Sequence, residues 1–136
     1  MAVFLDASFI VAAADTSDLN HASAVRWLAS NDEPLLVGAL SLADADAVLQ
    51  RGLGPEATLA LLSAISDGAV RVAGPSKEDL DRAADLMREA AAQRPRLVDA
   101  ALVAAVERLG VTRIATFERR PLAVLRAADR PVSLEP

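Results

Sequence analysis

The amino-acid sequence predicts an α/β domain in which a central, mainly parallel sheet of four to five short strands is covered by helices on both faces. Three observations predict it. Short apolar runs recur at Ala2-Val3-Phe4-Leu5, Leu35-Leu36-Val37, Ala69-Val70-Arg71-Val72 and Thr112–Thr116, as strands of a covered parallel sheet do. Between them lie segments whose apolar residues repeat at three- and four-residue spacing, the period of an amphipathic helix. The chain has 136 residues, 53% of them hydrophobic and 24% charged, which suits one globular domain with its own core.

Residues 2–5 read as a buried strand ended by Asp6-Ala7-Ser8, with Ser8 as the expected cap of a helix over Phe9 to Ala14. Asp15-Thr16-Ser17-Asp18 is a polar connection. Asn20 or His21 then leads into an amphipathic helix bearing Ala24, Val25, Trp27 and Leu28. Pro34 precedes the second strand, Leu35–Val37. A helical pattern begins at Ser41 and continues through Leu42, Ala45, Val48 and Leu49 until Gly52 and Gly54 stop it. Pro55 is placed to start the next helix, which carries Ala57, Leu59, Leu61, Leu62 and Ile65 and ends near Gly68.

After the third strand at 69–72, Ser76 opens a helix with Glu78 and Asp79 in its first turn, where the helix dipole favours acids. Pro95 breaks the chain before a helix over Val98–Leu109, which Gly110 terminates. Thr112–Thr116 is the fourth strand, Pro121–Ala127 a short helix, and Pro131-Val132-Ser133-Leu134 a candidate edge strand. No internal repeat or inter-domain linker interrupts the series, so residues 1–136 read as one domain.

Composition excludes several chemistries. There is no cysteine, hence no disulfide and no thiolate metal site, and the one histidine, His21, rules out His-rich zinc centres and most His-based triads. Aromatics make up only 3%, so the core is aliphatic. No apolar run approaches a membrane span, and the start of the chain lacks the basic segment of a signal peptide; a cytoplasmic protein without membrane association is expected. The net charge of −5 argues against binding nucleic acid through charge over the whole surface, while leaving room for a local basic rim. Of the 14 basic residues only Lys77 is lysine, and arginine suits bidentate phosphate contacts.

Four acids share one kind of setting. Asp6 and Glu118 each follow a predicted strand, and Asp44 and Asp99 are each expected in the first turn of a helix. Ligands of open parallel sheets bind beyond the carboxyl ends of the strands, so these four carboxylates are expected to converge on one cleft. Apolar surroundings make such a cluster costly unless a cation offsets it, and a hard divalent ion prefers oxygen ligands. Asp46 lies two residues beyond Asp44 and points to roughly the opposite side of its helix. His21, Trp27, Asp15 and Asp18 read as structural residues: a helix start, a core anchor, and turn or cap acids.

The sequence resembles the PIN-domain family, on Leu5-Asp6-Ala7-Ser8, Leu42-Ala43-Asp44, Leu97-Val98-Asp99-Ala100-Ala101-Leu102 and Ile114-Ala115-Thr116-Phe117-Glu118-Arg119-Arg120 taken in order. More narrowly it is similar to the ribonuclease toxins of VapBC-type toxin–antitoxin pairs. The resemblance implies a three-layer α/β/α fold, a Mg²⁺- or Mn²⁺-dependent endoribonuclease acting on RNA, a cognate antitoxin that holds it inactive, and a homodimer. Carried over by position, Asp6, Asp44, Asp99 and Glu118 are the implied metal-binding and catalytic acids. Arg94, Arg96, Arg119 and Arg120 are the candidates to place phosphate oxygens beside the metal. Thr116 is the candidate to support a carboxylate by a hydrogen bond. The chain departs from the family pattern twice. Asp44 stands where Glu is typical, shorter by one methylene or about 1.5 Å of reach, and Glu118 stands where Asp is common. A PIN-fold protein that binds an antitoxin or RNA and cuts poorly is the alternative. A phospho-acceptor receiver is disfavoured by a single Asp after the first strand, and a phosphate-loop NTPase by the lack of a Gly-Lys-Ser/Thr loop.

Overall fold

The structure, a computed structural model, describes residues 1–125 and 132–136. Five strands form one sheet: β1 (Val3–Leu5), β2 (Leu35–Val37), β3 (Val70–Val72), β4 (Arg113–Ala115) and β5 (Ser133–Glu135). Their order is β3-β2-β1-β4-β5, and every pairing is parallel, so the expectation of a mainly parallel sheet is met in full. In register, Phe4 pairs with Leu36 on one side and Ile114 on the other.

Because side chains alternate across a strand, β1 feeds two cores. Phe4 joins Ile114 and the helices α5 (Lys77–Glu89) and α6 (Leu97–Leu109) on one face. Val3 and Leu5 join α1 (Ala7–Ala14), α2 (His21–Ser30) and Ala45 of α3 (Ala39–Leu53) on the other. Residues Val98 to Val106 of α6 are all buried, which is why that segment reads as almost continuously apolar rather than amphipathic. The remaining helices are α4 (Glu56–Ser66), a 3₁₀ turn at Ala91–Gln93, and α7 (Arg119–Ala123). Among the described residues no helix is long and apolar enough to cross a membrane.

Several boundaries differ from the sequence reading for definable reasons. The cap of α1 is Asp6, not Ser8: Asp6 Oδ1 accepts from the backbone N–H of Ala7 at 2.8 Å, and Ser8 lies inside the helix. Helix α3 starts at Ala39, two residues before Ser41, and includes Gly52, with Gly54 as the stop at φ 76°. Asp44 therefore sits in the second turn of α3 rather than the first. Helix α7 begins at Arg119 and places Pro121 in its first turn, where a missing N–H costs nothing. The helix ends at Ala123, with Val124 as its cap, short of the predicted continuation, whose residues 126 and 127 lie outside the described residues, as does Pro131 of the predicted edge strand.

Candidate functional site

The chain runs outward from β1 through β2 to β3 and then crosses back to β4 on the far side of β1. The strand order therefore reverses between β1 and β4, and the crevice beyond their carboxyl ends is where open α/β sheets bind ligands. Asp6 leaves β1 at that point, and Thr116, Phe117 and Glu118 leave β4 beside it. A cleft of about 530 Å³ opens there, and its walls include Asp6, Asp44, Asp99 and Glu118. The fold thus brings to one place four acids that are 38, 55 and 19 positions apart in sequence (44 − 6, 99 − 44 and 118 − 99).

Asp6 is the most firmly held. Its Oδ2 accepts from Thr116 Oγ1 at 2.7 Å and from Ser8 Oγ at 3.0 Å. Each hydroxyl accepts a backbone N–H in turn: Glu118 N–H donates to Thr116 at 3.0 Å and Phe117 N–H to Ser8 at 3.0 Å. Backbone amides after β4 thus polarise two hydroxyls that both converge on one carboxylate after β1, a chain in which each bond strengthens the next. Thr116 is 1% exposed and Asp6 5%, so the arrangement is fixed by packing as well as by hydrogen bonds.

Asp99 enters from the first turn of α6 and is 8% exposed. Burial, reinforced by the negative field of Asp6, pushes its carboxyl from 3.8 to about 6, against the opposing pull of Arg96. Glu118 and Asp44 add to the push. Asp44, on α3, is engaged by both guanidinium nitrogens of Arg96, at 2.8 and 3.3 Å. Glu118 lies exposed at the rim, at the cap position of α7.

The predicted arginines divide. Arg96 lines the cleft, while Arg94, Arg119 and Arg120 are not among its lining residues. Arg94 is exposed in a left-handed conformation at φ 51°, and Arg119 donates to the carbonyl of Pro136. Arg51 lines the cleft instead. Its signal was present in the sequence, since Arg51 stands seven residues, two helical turns, beyond Asp44 on one face of α3. Asp46 faces away, accepting from Gln50 and Thr58 and so tying α3 to α4. Ser8 was legible only as a cap, and its real partners lie 108 and 109 positions away.

The donor set is oxygen only, which suits Mg²⁺ or Mn²⁺ and not softer metals. Among the described residues no three acidic or histidine side chains are gathered into a ready cage. Mg²⁺ does not require one, because it keeps several waters and is commonly bound by one or two carboxylates. A buried Asp99 pushed up by its neighbour Asp6 is a pair whose charge a divalent ion would relieve, so the residues fit such an ion.

A family model for the PIN domain matches residues 3–128. Ribonuclease VapC26 of Mycobacterium tuberculosis is 27% identical over 124 residues, covering 91% of this chain and 92% of that protein. The crystal structure of Mycobacterium tuberculosis VapC20, described as a sarcin-ricin loop cleaving toxin, matches with a TM-score of 0.82 at 22% identity, covering 89% of this chain and 93% of that one. VapBC-1 from nontypeable Haemophilus influenzae matches with a TM-score of 0.68 at 14% identity over 99% of this chain and 97% of that one. The structural likenesses bear on the fold, a parallel sheet between two layers of helices.

Proposed function

The chain belongs to the PIN-domain family, and from that premise we propose that it is a Mg²⁺- or Mn²⁺-dependent endoribonuclease of the VapC toxin type, active in the cytoplasm and neutralised by a cognate antitoxin. What carries the reading is the meeting of Asp6 and Asp99 at the switch point of the sheet, with Asp99 pushed up to about 6. The name of the ribonuclease relative VapC26 supports RNA as substrate, and the antitoxin partner is what the resemblance to VapBC-type toxins implies. A homodimer is the assembly that the family resemblance implies.

Asp6 and Asp99 would hold the ion, with Asp44 and Glu118 at its outer side. When bound, the ion supplies a water of lowered pKa and offsets charge on the scissile phosphate. Thr116 and Ser8 fix the direction in which Asp6 presents its carboxylate, and Arg96 and Arg51 stand on the wall where phosphate oxygens would lie. One of the cleft carboxylates would take the proton of the attacking water, and the oxygen that leaves phosphorus would be protonated from solvent, to which the cleft is open.

A second reading, a PIN-fold protein that binds and cuts poorly, is favoured by one observation: both oxygens of Asp44 are held by Arg96. One assay separates the two. Antitoxin-free protein incubated with RNA and Mn²⁺ is expected to cut, EDTA to stop it, and Asp6→Asn and Asp99→Asn each to lose at least about a hundredfold in rate. Equal cleavage by wild type and both variants would mean a contaminating nuclease and would sink the proposed site.

A further inference from the structure

Arg96 and Asp44 reach the cleft from different elements. Arg96 is the cap residue of α6, three positions before Asp99, and Asp44 lies on α3. The guanidinium addresses both carboxylate oxygens, Nη2 to Oδ1 at 2.8 Å and Nη1 to Oδ2 at 3.3 Å. It is more than an isolated pair. The hydrogen bonds to Asp44, with the further fields of Asp99 and Glu118, raise the affinity of Arg96 for its proton. One guanidinium therefore stands in the field of three of the acids that line the cleft, which also include Asp6 and Asp18.

We propose that Arg96 is a built-in counter-ion that competes with the divalent cation for Asp44: the fork holds Asp44 in the unloaded site and gives it up when the ion is bound. The inference rests on the metal-nuclease reading above. Two physical points support the exchange. The pair is open to water, with the Arg96 side chain 61% exposed and that of Asp44 25%, and ion pairs of that kind hold only weakly. A doubly charged ion attracts the same carboxylate with twice the Coulomb energy at equal distance. Placement adds a third point. Because Arg96 caps the helix whose first turn holds Asp99, one segment supplies a ligand of the ion and the ion's competitor for Asp44, and the freed fork remains beside the ion.

The shorter Asp44 then acquires a reason. A carboxylate that must pass between a guanidinium and an ion is held by the first without being locked to the second. The device keeps the acid cluster partly neutralised when no cation is bound, and it sets the cation concentration at which the site loads.

The test is calorimetric titration with Mn²⁺ of wild type, Arg96→Lys, Arg96→Gln, Asp44→Asn and the Asp44→Asn/Arg96→Lys double variant. Lysine keeps the charge and loses the fork. Arg96→Lys is expected to bind Mn²⁺ about threefold more tightly than wild type, the size of a lost exposed pair. Arg96→Gln, which also removes the charge, is expected to bind about tenfold more tightly. In the Asp44→Asn background, Arg96→Lys is expected to change nothing. If Arg96→Lys binds as wild type does while Arg96→Gln tightens, only net charge matters and the proposal is overturned. An equal effect of Arg96→Lys with and without Asp44 overturns it as well, since Arg96 would then act elsewhere. In neither case is the nuclease reading touched. Failure of wild type and every variant to bind at millimolar Mn²⁺ overturns both. As an independent readout, the ¹⁵N signals of the Arg96 guanidinium are expected to shift when Mg²⁺ is added to wild type and to stay in place in Asp44→Asn.

Discussion

Asp99 and Thr116 are the two residues at which stability and the proposed chemistry can be measured together. In the metal-free protein Asp99 binds its proton more tightly when folded, at about 6, than the ordinary 3.8. The folded state then carries more protons between those values, so the stability associated with Asp99 falls as pH rises through that window. Asp99→Asn removes the penalty. In EDTA it is expected to be more stable than wild type by about 1–3 kcal/mol at pH 8 and to lose that advantage near pH 4. Urea midpoints at the two pH values check this, and an advantage independent of pH would refute it. Thr116→Val tests the support of Asp6. The swap keeps the shape, removes the acceptor of the Glu118 N–H and leaves Asp6 Oδ2 with Ser8 as its one remaining hydroxyl donor. A stability loss of about 1–2 kcal/mol and Mn²⁺ binding weakened about tenfold are expected, read by urea denaturation and calorimetry.

At the scale of elements, a second acid pins the helices that aim the site. Asp79 closes a capping box with Ser76 at the start of α5 and accepts two hydrogen bonds from Arg108 in the last turn of α6, at 2.8 and 2.9 Å. It is 1% exposed, and its burial, which opposes ionisation, is outweighed by Arg108 and Ser76, so its pKa is lowered. The chain leads into α5 through Gly74, at φ 78°, where an added Cβ would stand 2.8 Å from Asp79 Oδ2. Asp79→Ala removes the acceptor of Arg108 and of the Ser76 N–H together. A loss of about 2–4 kcal/mol, measured from the urea midpoint, is expected, together with weaker Mn²⁺ binding because α6 carries Asp99. Stability within about 0.5 kcal/mol of wild type would show that the lock is dispensable.

For the whole molecule, the proposed ion would couple ligand to fold. The four acids come from the turn after β1, α3, α6 and the turn after β4, so an ion bound by them would bridge both helical layers and favour the folded chain by mass action. At a hundred times its dissociation constant, Mn²⁺ is expected to add about 2.7 kcal/mol, seen as a higher unfolding temperature that EDTA reverses and that Asp6→Asn abolishes. The far edge of the sheet is closed separately. Glu135 of β5 accepts from Nε and Nη2 of Arg113, at 2.6 and 2.8 Å, and from the Trp27 indole N–H at 3.1 Å, so the last strand is fastened to β4 and α2 together.

Read from sequence alone, β1 to β4, the helices α1 to α6 and the four acids Asp6, Asp44, Asp99 and Glu118 that line the cleft were in view. Apolar runs and helical periods are local signals, and an acid at a strand end or helix start is visible without a partner. The order of the acids along the chain carried the family. What only the tertiary structure decided were matters of distance. Ser8 and Thr116, 108 positions apart, meet because β1 and β4 are neighbours, and no local pattern records that adjacency. Arg96, 52 positions from Asp44, finds it because α3 and α6 pack together, whereas Arg94, Arg119 and Arg120 read equally well in sequence and are not among the residues that line the cleft. Side-chain type is written residue by residue, but which charges share a cleft depends on how the strands are ordered, and that order is set by the burial of the whole sheet.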